Sequence, residues 1–188
     1  MRIVGGEWRG RALAGLGKGD AANHLRPTAD RVRESLFNIL TLGRHGDAVS
    51  DARVLDLFAG TGALGLEALS RGANTATFVE NGRAALALLS DNIARTGAGA
   101  RAQVLKLDAT RPGPCKGPAA TLVFLDPPYG RGLGPRALAA ALDGGWIADD
   151  ALIVWEEAAP EPAPAGFDLA EHRRFGQTHV TFLRKGSP

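Results

Sequence analysis

The chain has 188 residues, 45% of them hydrophobic, and a formal net charge of +2. This size predicts one buried core, most simply a single domain with a short extension. Cys115 is the only cysteine, which excludes disulfides and a cysteine metal cluster, and we predict no metal site. The opening MRIVGGEWRG has no apolar signal core, and no run of about 18 apolar residues follows, so we expect a soluble cytoplasmic protein.

Positive charge is concentrated at the N-terminus. Residues 1–50 carry eight arginines and lysines against five acidic residues, a net charge of +3, which leaves −1 for the remainder. A basic extension on a nearly neutral body suggests contact with phosphate groups. A solvated charged face is the alternative explanation, and it is the more common one for such an excess.

The first elements predicted in chain order are two short strands at residues 2–8 and 11–14, joined near Gly10 as a hairpin. Residues 15–23 are rich in glycine and charge, and we expect them to be mobile. This pattern predicts a small N-terminal hairpin followed by a loose connection.

A helix is predicted next, with Thr28 as its N-cap. Apolar residues recur behind it at helical spacing, at Val32, Leu36, Ile39 and Leu40. Arg31, Arg33 and Glu34 are expected to project from its first two turns towards solvent. Residues 1–50 therefore form a predicted hairpin and helix extension, and residues 51–188 the main domain.

From residue 52 onward, strands and helices alternate. Strands are predicted at residues 53–58, 75–80, 102–107, 121–125 and 151–155, and helices at 63–71, 83–96 and about 135–142. This alternation predicts an α/β fold with a doubly wound, Rossmann-like, mostly parallel sheet. Two final strands at 168–174 and 178–184 are so close in sequence that they must pair as an antiparallel hairpin, which gives seven strands.

The tetrapeptide Asp126-Pro127-Pro128-Tyr129 ends the apolar strand TLVFL at the sheet edge where open α/β folds place ligands. The prolines cannot donate backbone hydrogen bonds, so the segment presents acceptors. If the Asp126 carboxylate and the Pro127 carbonyl each accept one N–H, they draw a planar exocyclic amine towards a tetrahedral shape, ready to accept a methyl group. Tyr129 can stack on the base. The alternative is a proline-rich turn.

A glycine-rich turn follows the first predicted strand. Gly60, Gly62 and Gly65 match G-x-G-x-x-G, with Glu80 twenty residues after the first glycine, so a nicotinamide dinucleotide is one candidate ligand. Asp56 argues against it, because a carboxylate at this place repels a pyrophosphate and attracts a cationic amino group. S-adenosylmethionine has that amino group and lacks a pyrophosphate.

Four acids end four successive strands at one edge of the sheet. Glu80 suits ribose hydroxyls, and Asp108 suits an adenine amino group, with Ala109 as a backbone donor. Each acid alone could be a turn former or a helix cap. The candidate cofactor-binding residues are Asp56, Phe58, Ala59, Gly60, Thr61, Gly62, Glu80, Asn81, Asp108 and Ala109, and the candidate catalytic residues are Asp126, Pro127, Pro128 and Tyr129.

The motifs DLFAGTGALGLEALSRG (residues 56–72), RPTADRVRESLF (26–37), DPPY and the opening RIVGGEWRGR together resemble bacterial 16S rRNA (guanine(966)-N2)-methyltransferases. The similarity covers nearly the whole chain, and residues 26–37 are its most specific part. It implies a class I methyltransferase fold, S-adenosylmethionine as the methyl donor, and methylation of one guanine N2 amine in small-subunit rRNA. The insert at residues 15–23 departs from the family pattern. This departure bears on the path of the RNA over the protein rather than on the chemistry.

The substrate expected from this resemblance is 16S rRNA or the assembling small ribosomal subunit, and a monomer is expected. Only some fifty residues lie outside the catalytic sheet, too few for a separate target-reading domain, so the enzyme must recognise RNA shape and an exposed or flipped base. The candidate RNA-binding residues are Arg9, Arg11, Arg26, Thr28, Arg31 and Arg33. Three alternatives stay open: an adenine-N6 methyltransferase acting on DNA or RNA, a non-catalytic RNA-binding assembly factor, and a dinucleotide-dependent oxidoreductase.

Overall fold

The structure is a computed structural model that describes residues 1–15 and 30–186. The predicted Thr28 cap and most of the insert at residues 15–23 lie outside the described residues. The helices are α1 (Asp30–Leu42), α2 (Ala63–Ser70), α3 (Arg83–Thr96) and α4 (Leu133–Asp143). The strands are β1 (Arg53–Leu57), β2 (Thr75–Val79), β3 (Ala102–Leu105), β4 (Ala120–Leu125), β5 (Ile147–Glu157), β6 (Phe167–Phe175) and β7 (Thr178–Lys185).

The strands form one seven-stranded sheet in the order β3-β2-β1-β4-β5-β7-β6. Strands β1 to β5 pair in parallel, and β7 is antiparallel to both β5 and β6. The predicted α/β fold with a C-terminal hairpin is therefore confirmed. The strand order reverses between β1 and β4, and this switch point is where doubly wound sheets bind ligands.

Helices cover the two faces of the sheet unequally. One face packs on α1, α2 and α3, with Phe37, Leu66 and Phe78 in its core. The other face carries α4, whose Leu138 packs in a second core with Trp155. Within the described part of the chain, residues 106–119 connect β3 to β4 without a helix. None of the described helices therefore lies over the half of the second face that is formed by β1, β2 and β3.

The predicted N-terminal hairpin is present, but its strands are shorter than residues 2–8 and 11–14. Arg2 and Ala12 form an isolated antiparallel bridge, and the N–H groups of Ile3 and Leu13 donate to the carbonyls of Arg11 and Met1, at 2.9 and 3.1 Å. Other backbone donors of this segment bond to α2. The N–H of Val4 donates to Glu67 Oε2 at 2.8 Å, and that of Glu7 donates to the Ser70 carbonyl at 2.7 Å. These bonds fasten the short hairpin onto the helix.

The N-terminal segment shares its core with the sheet. Ile3, Trp8 and Leu13 are buried in the same cluster as Leu36 and Phe78. The division near residue 50 thus stays a prediction about function, since the two parts pack around one core. None of the described helices is both long and apolar enough to span a bilayer.

Arg33 does not project into solvent as predicted. Its side chain is 0% exposed, and it lies with Leu36, Phe37 and Leu40 on the buried face of α1. Its Nη2 bonds Asp30 Oδ1 at 3.0 Å, and its Nε lies 3.6 Å from Glu67 Oε2. The physical reason for the error is visible in the spacing, because positions 33, 36, 37 and 40 share one helical face.

Candidate active site

The ends of β1, β4 and β5 lie side by side at the switch point. Leu57 pairs with Leu125, and Leu125 pairs with Trp155. Asp126 follows β4 directly and is partly exposed. Burial, together with the carboxyl groups of Glu156, Asp56 and Glu157, raises the pKa of Asp126 well above its ordinary value. The DPPY segment therefore stands at the rim of an acidic cluster.

Tyr129 is fixed by a residue that the sequence analysis missed. Its phenol donates a hydrogen bond to Glu156 Oε1 at 3.0 Å. Burial and the nearby Glu156 carboxyl raise the pKa of Tyr129, so the phenol stays protonated and remains a donor. The sequence signal for Glu156 was its position directly after the apolar run at residues 151–155.

Asp56 is buried, with 2% of its surface exposed. Its Oδ2 accepts the N–H of Gly65 at 3.0 Å. Burial raises its pKa to about 8; the Gly65 hydrogen bond opposes that shift, and the Glu80 carboxyl adds to it. A cation placed beside Asp56 would favour its ionised form, so this carboxyl group suits the ammonium group of a bound cofactor.

The glycine-rich turn after β1 is held in a conformation that few residues adopt. Gly60 and Gly62 have φ angles of 57° and 77°, and Phe58 has a φ of 62°, which is rare for a residue with a side chain. Glu80 stabilises the turn, because its Oε2 accepts the Gly60 N–H at 2.8 Å and its Oε1 accepts the Asn81 N–H at 2.9 Å. The predicted cofactor residues before and after β2 are thus linked directly.

Asp108 lies further from β3 than predicted, since the strand ends at Leu105 rather than residue 107. Its Oδ1 accepts hydrogen bonds from the backbone N–H and the hydroxyl of Thr110, at 2.9 and 2.8 Å. The Thr110 backbone bond is the main cause that lowers the pKa of Asp108. The side chain therefore forms the local turn, and its assignment to an adenine amino group stays a prediction, as does that of the buried Ala109.

The predicted RNA-binding residues are not equivalent in the structure. Arg9 and Arg31 border a surface cavity of about 260 Å³. Arg11 Nη1 donates to the carbonyls of Arg95 and Thr96, at 3.0 and 2.9 Å, and so caps the C-terminal end of α3. Two further candidates, Arg26 and Thr28, lie outside the described residues, and Arg33 is buried. All three of Arg9, Arg11 and Arg31 are exposed, but Arg11 is used at the end of α3, so Arg9 and Arg31 are the exposed candidates that border the cavity.

A second residue that the sequence analysis missed is Asn92, which is fully buried on α3. Its amide nitrogen donates to the carbonyls of Thr61 and Ala14, at 2.9 and 3.1 Å, and its oxygen accepts the Ala14 N–H at 2.6 Å. It thus joins the cofactor turn to the N-terminal segment. The sequence signal for Asn92 was a polar residue on the apolar face of the helix predicted at residues 83–96.

Residues 1–184 match the family model described as Conserved hypothetical protein 95. The chain is 44% identical to the Ribosomal RNA small subunit methyltransferase D of Escherichia coli over 180 residues, which cover 94% of this chain and 86% of that protein. It is 35% identical to the protein of the same name from Haemophilus influenzae over 182 residues, covering 94% and 89%.

A similar solved structure is described as "Putative methyltransferase yhhF from Escherichia coli". Its TM-score is 0.81 at 40% sequence identity, and the match covers 100% of this chain and 99% of that one. The similarity thus includes the N-terminal segment as well as the sheet. The chain therefore belongs to the Conserved hypothetical protein 95 family, together with the small-subunit rRNA methyltransferase D proteins that it resembles.

Proposed function

We propose that this protein transfers a methyl group from S-adenosylmethionine to the exocyclic N2 amine of guanine 966 in 16S rRNA. The observation that carries the proposal is the position of Asp126, which stands partly exposed at the switch point beside the buried Asp56. The relatives that match over nearly the whole chain are named as rRNA small-subunit methyltransferases, and those names favour an rRNA substrate over the adenine-N6 alternative.

The cofactor would be held by the turn after β1 and by the acids around it. S-adenosylmethionine supplies a methyl group on a positively charged sulfur. Asp56 takes the amino group, Glu80 and Asn81 take the ribose hydroxyls, and Asp108 and Ala109 take the adenine. Phe58, Ala59, Gly60, Thr61 and Gly62 line the turn. The raised pKa of Asp56 supports this assignment, because that carboxyl group gains most from a cationic partner.

The DPPY segment would prepare the amine. Asp126 and the Pro127 carbonyl each accept one N–H, Pro128 keeps the segment rigid, and Tyr129 stacks on the guanine. As the new N–C bond forms, the nitrogen becomes positively charged, and the Asp126 carboxylate stabilises that charge. The positive charge of the bound cofactor would favour the ionised form of Asp126. Because its raised pKa makes the carboxylate a better proton acceptor, Asp126 then takes the proton that the nitrogen loses.

The substrate in this proposal is a guanine already exposed in folded 16S rRNA or in an assembling small subunit. The protein would act as a monomer in the cytoplasm. The direct test compares modified nucleotides in 16S rRNA from cells with and without the gene. Loss of one N2-methylguanine confirms the proposal. An unchanged rRNA with a lost N6-methyladenine elsewhere favours the alternative.

Binding of S-adenosylmethionine at pH 7 is expected to release roughly one proton, because Asp56 has a pKa of about 8 in the free protein and must ionise to pair with the amino group. Affinity should therefore rise with pH until about pH 8. Calorimetry in two buffers of different ionisation enthalpy measures the proton release. Asp56→Asn should bind more weakly and release no such proton. Tight binding of NAD with no response to S-adenosylmethionine would contradict the cofactor assignment.

Replacing Arg9 or Arg31 by glutamine is expected to weaken RNA binding, because both arginines place charge at the exposed N-terminal surface. Each lost phosphate contact should reduce the slope of log affinity against log salt by about 0.7–0.9. Arg11→Gln should instead lower the free energy of unfolding by about 0.3–1 kcal/mol, because Arg11 caps α3. Wild-type affinity and slope in the Arg9 and Arg31 variants would show that this surface does not bind RNA.

A further inference from the structure

The uncovered half of the sheet borders a cavity of about 760 Å³. Its floor is formed by β1, β2 and β3, and its wall by the proline-rich connection between β3 and β4 together with Trp146. We call this cavity the β1–β3 trough. It runs from Arg53, at the amino end of β1, to Leu107, which immediately precedes Asp108. One end of the trough thus reaches the edge of the sheet that carries the candidate active site.

The strands below the trough carry polar residues among apolar ones such as Leu55 and Leu105, whereas a covered parallel sheet is apolar throughout. Parallel strands buried on both faces read as continuous apolar runs, as β4 does. In β2 the residues alternate, so that Thr75 and Thr77 line the trough while Phe78 packs in the opposite core. Gln103 lines it from β3. An apolar helix on this floor would bury these polar groups without partners.

The charged residues that line the trough are all cationic. Arg53 and Lys116 line it, and none of the described lining residues is acidic. Arg101 also borders it, but its guanidinium pairs with Glu7 and lies over the ring of Trp8, which packs in the opposite core. Arg53 donates from its Nε to the Ala119 carbonyl at 2.7 Å, which fixes the wall of the trough against its floor. Since the whole chain has a net charge of only +2, this excess is local. Such an arrangement of arginine, lysine and hydroxyl donors suits phosphate oxygens.

We propose that the β1–β3 trough is a second RNA-contacting surface that holds a single-stranded stretch of rRNA backbone leading to the target base. This inference rests on the proposed rRNA methyltransferase function. The charges of Arg53 and Lys116, with no acidic residue in the described lining, favour phosphate groups over an apolar protein segment. The Leu107 end of the trough lies just beyond the carboxyl end of β3, at the edge of the sheet that carries the candidate active site, so one RNA strand can reach both places.

The first test replaces Lys116 by glutamine. We expect several-fold weaker binding of a 16S rRNA fragment and a slope of log affinity against log salt that is lower by about 0.7, the value for one contact with a single strand. Arg44→Gln is the matched control, because Arg44 is exposed next to His45, which stacks on Phe182 on the opposite face of the sheet. Binding of S-adenosylmethionine should be unchanged in both variants.

The second test uses Cys115, the only cysteine of the chain, which lines the trough beside Lys116. Saturating rRNA fragment should slow alkylation of Cys115 by N-ethylmaleimide in the wild-type protein, and S-adenosylmethionine alone should not. Unchanged alkylation overturns the proposal. Protection by small-subunit proteins freed of rRNA, but not by rRNA, also overturns it and assigns the trough to a protein partner.

The experiments distinguish a failure of the trough proposal from a failure of the proposed methyltransferase function. A wild-type protein that methylates the rRNA fragment, combined with a Lys116→Gln variant of unchanged affinity and salt slope, overturns the trough alone. A wild-type protein that neither binds nor methylates rRNA overturns the proposed function as well.

Discussion

Replacing Asp126 by alanine is expected to lower the rate of methyl transfer by on the order of 100-fold or more, the usual effect of losing an oriented group that stabilises transition-state charge. Affinity for S-adenosylmethionine should stay within a few-fold, since Asp126 is assigned to the acceptor amine. Single-turnover transfer of a labelled methyl group to rRNA measures the rate. Calorimetry measures the cofactor affinity.

Asp126→Asn separates the two roles of this side chain. The amide keeps one acceptor oxygen but cannot take up a proton, so we expect a rate between those of the wild-type and alanine proteins. Tyr129→Phe keeps the ring and removes the hydroxyl that bonds Glu156, and a smaller loss is expected. Near-normal turnover of Asp126→Ala would show that the DPPY segment is not the catalytic element.

Arg33→Ala is expected to lower the free energy of unfolding by about 3–5 kcal/mol, because it leaves the fully buried Glu67 carboxylate without one of its cationic partners. The substitution also breaks the bond to Asp30 and the bond to the Arg2 carbonyl. Denaturant unfolding monitored by circular dichroism gives the value. We expect the cost to appear as instability rather than as weaker RNA binding by the folded protein.

Arg31→Ala is the control, since Arg31 lies on the exposed side of the same helix. A surface substitution of this kind should change stability by no more than about 0.5 kcal/mol. Equal stability of the two variants would contradict the buried ion-pair network. Weaker RNA binding by Arg31→Ala with unchanged stability would place the two arginines in different roles.

The helices and strands of the sheet could be predicted because their signals are local. Helix α3 was predicted with its observed bounds, since its apolar spacing is regular and Gly97 ends it in the left-handed conformation. Strand β5 is longer than the predicted 151–155. Its last residues, Glu156 and Glu157, pair with Val180 and His179 of β7, and partners so distant in sequence leave no local signal.

The N-terminal segment shows where local signals are incomplete. Its residues form the short hairpin that their composition predicts, but further backbone hydrogen bonds go to Glu67 and Ser70, more than sixty positions away. A deletion of residues 1–24 would remove Ile3 and Trp8 and so expose the core that they cover. Point substitutions are therefore the sharper probe of this region.

The acids of the candidate active site could be predicted from the sequence, but the residues that hold the rest of the site in place could not. Asp56 and Asp126 follow from the rule that parallel strands bring their carboxyl ends to one edge. Glu156 and Asn92 contribute through contacts with Tyr129 and Thr61, which only the packed structure reveals. The two missed residues are polar side chains inside apolar patterns, and this feature is a useful sign in related sequences.

The Asn92 bridge between Thr61 and Ala14 has a thermodynamic consequence. One amide group holds both the turn assigned to the cofactor and the segment that leads to the predicted RNA surface. If RNA changes the affinity for the cofactor through this amide, the cofactor must change the affinity for RNA by the same factor. Whichever ligand binds first then raises or lowers the affinity of the protein for the other ligand by that same factor.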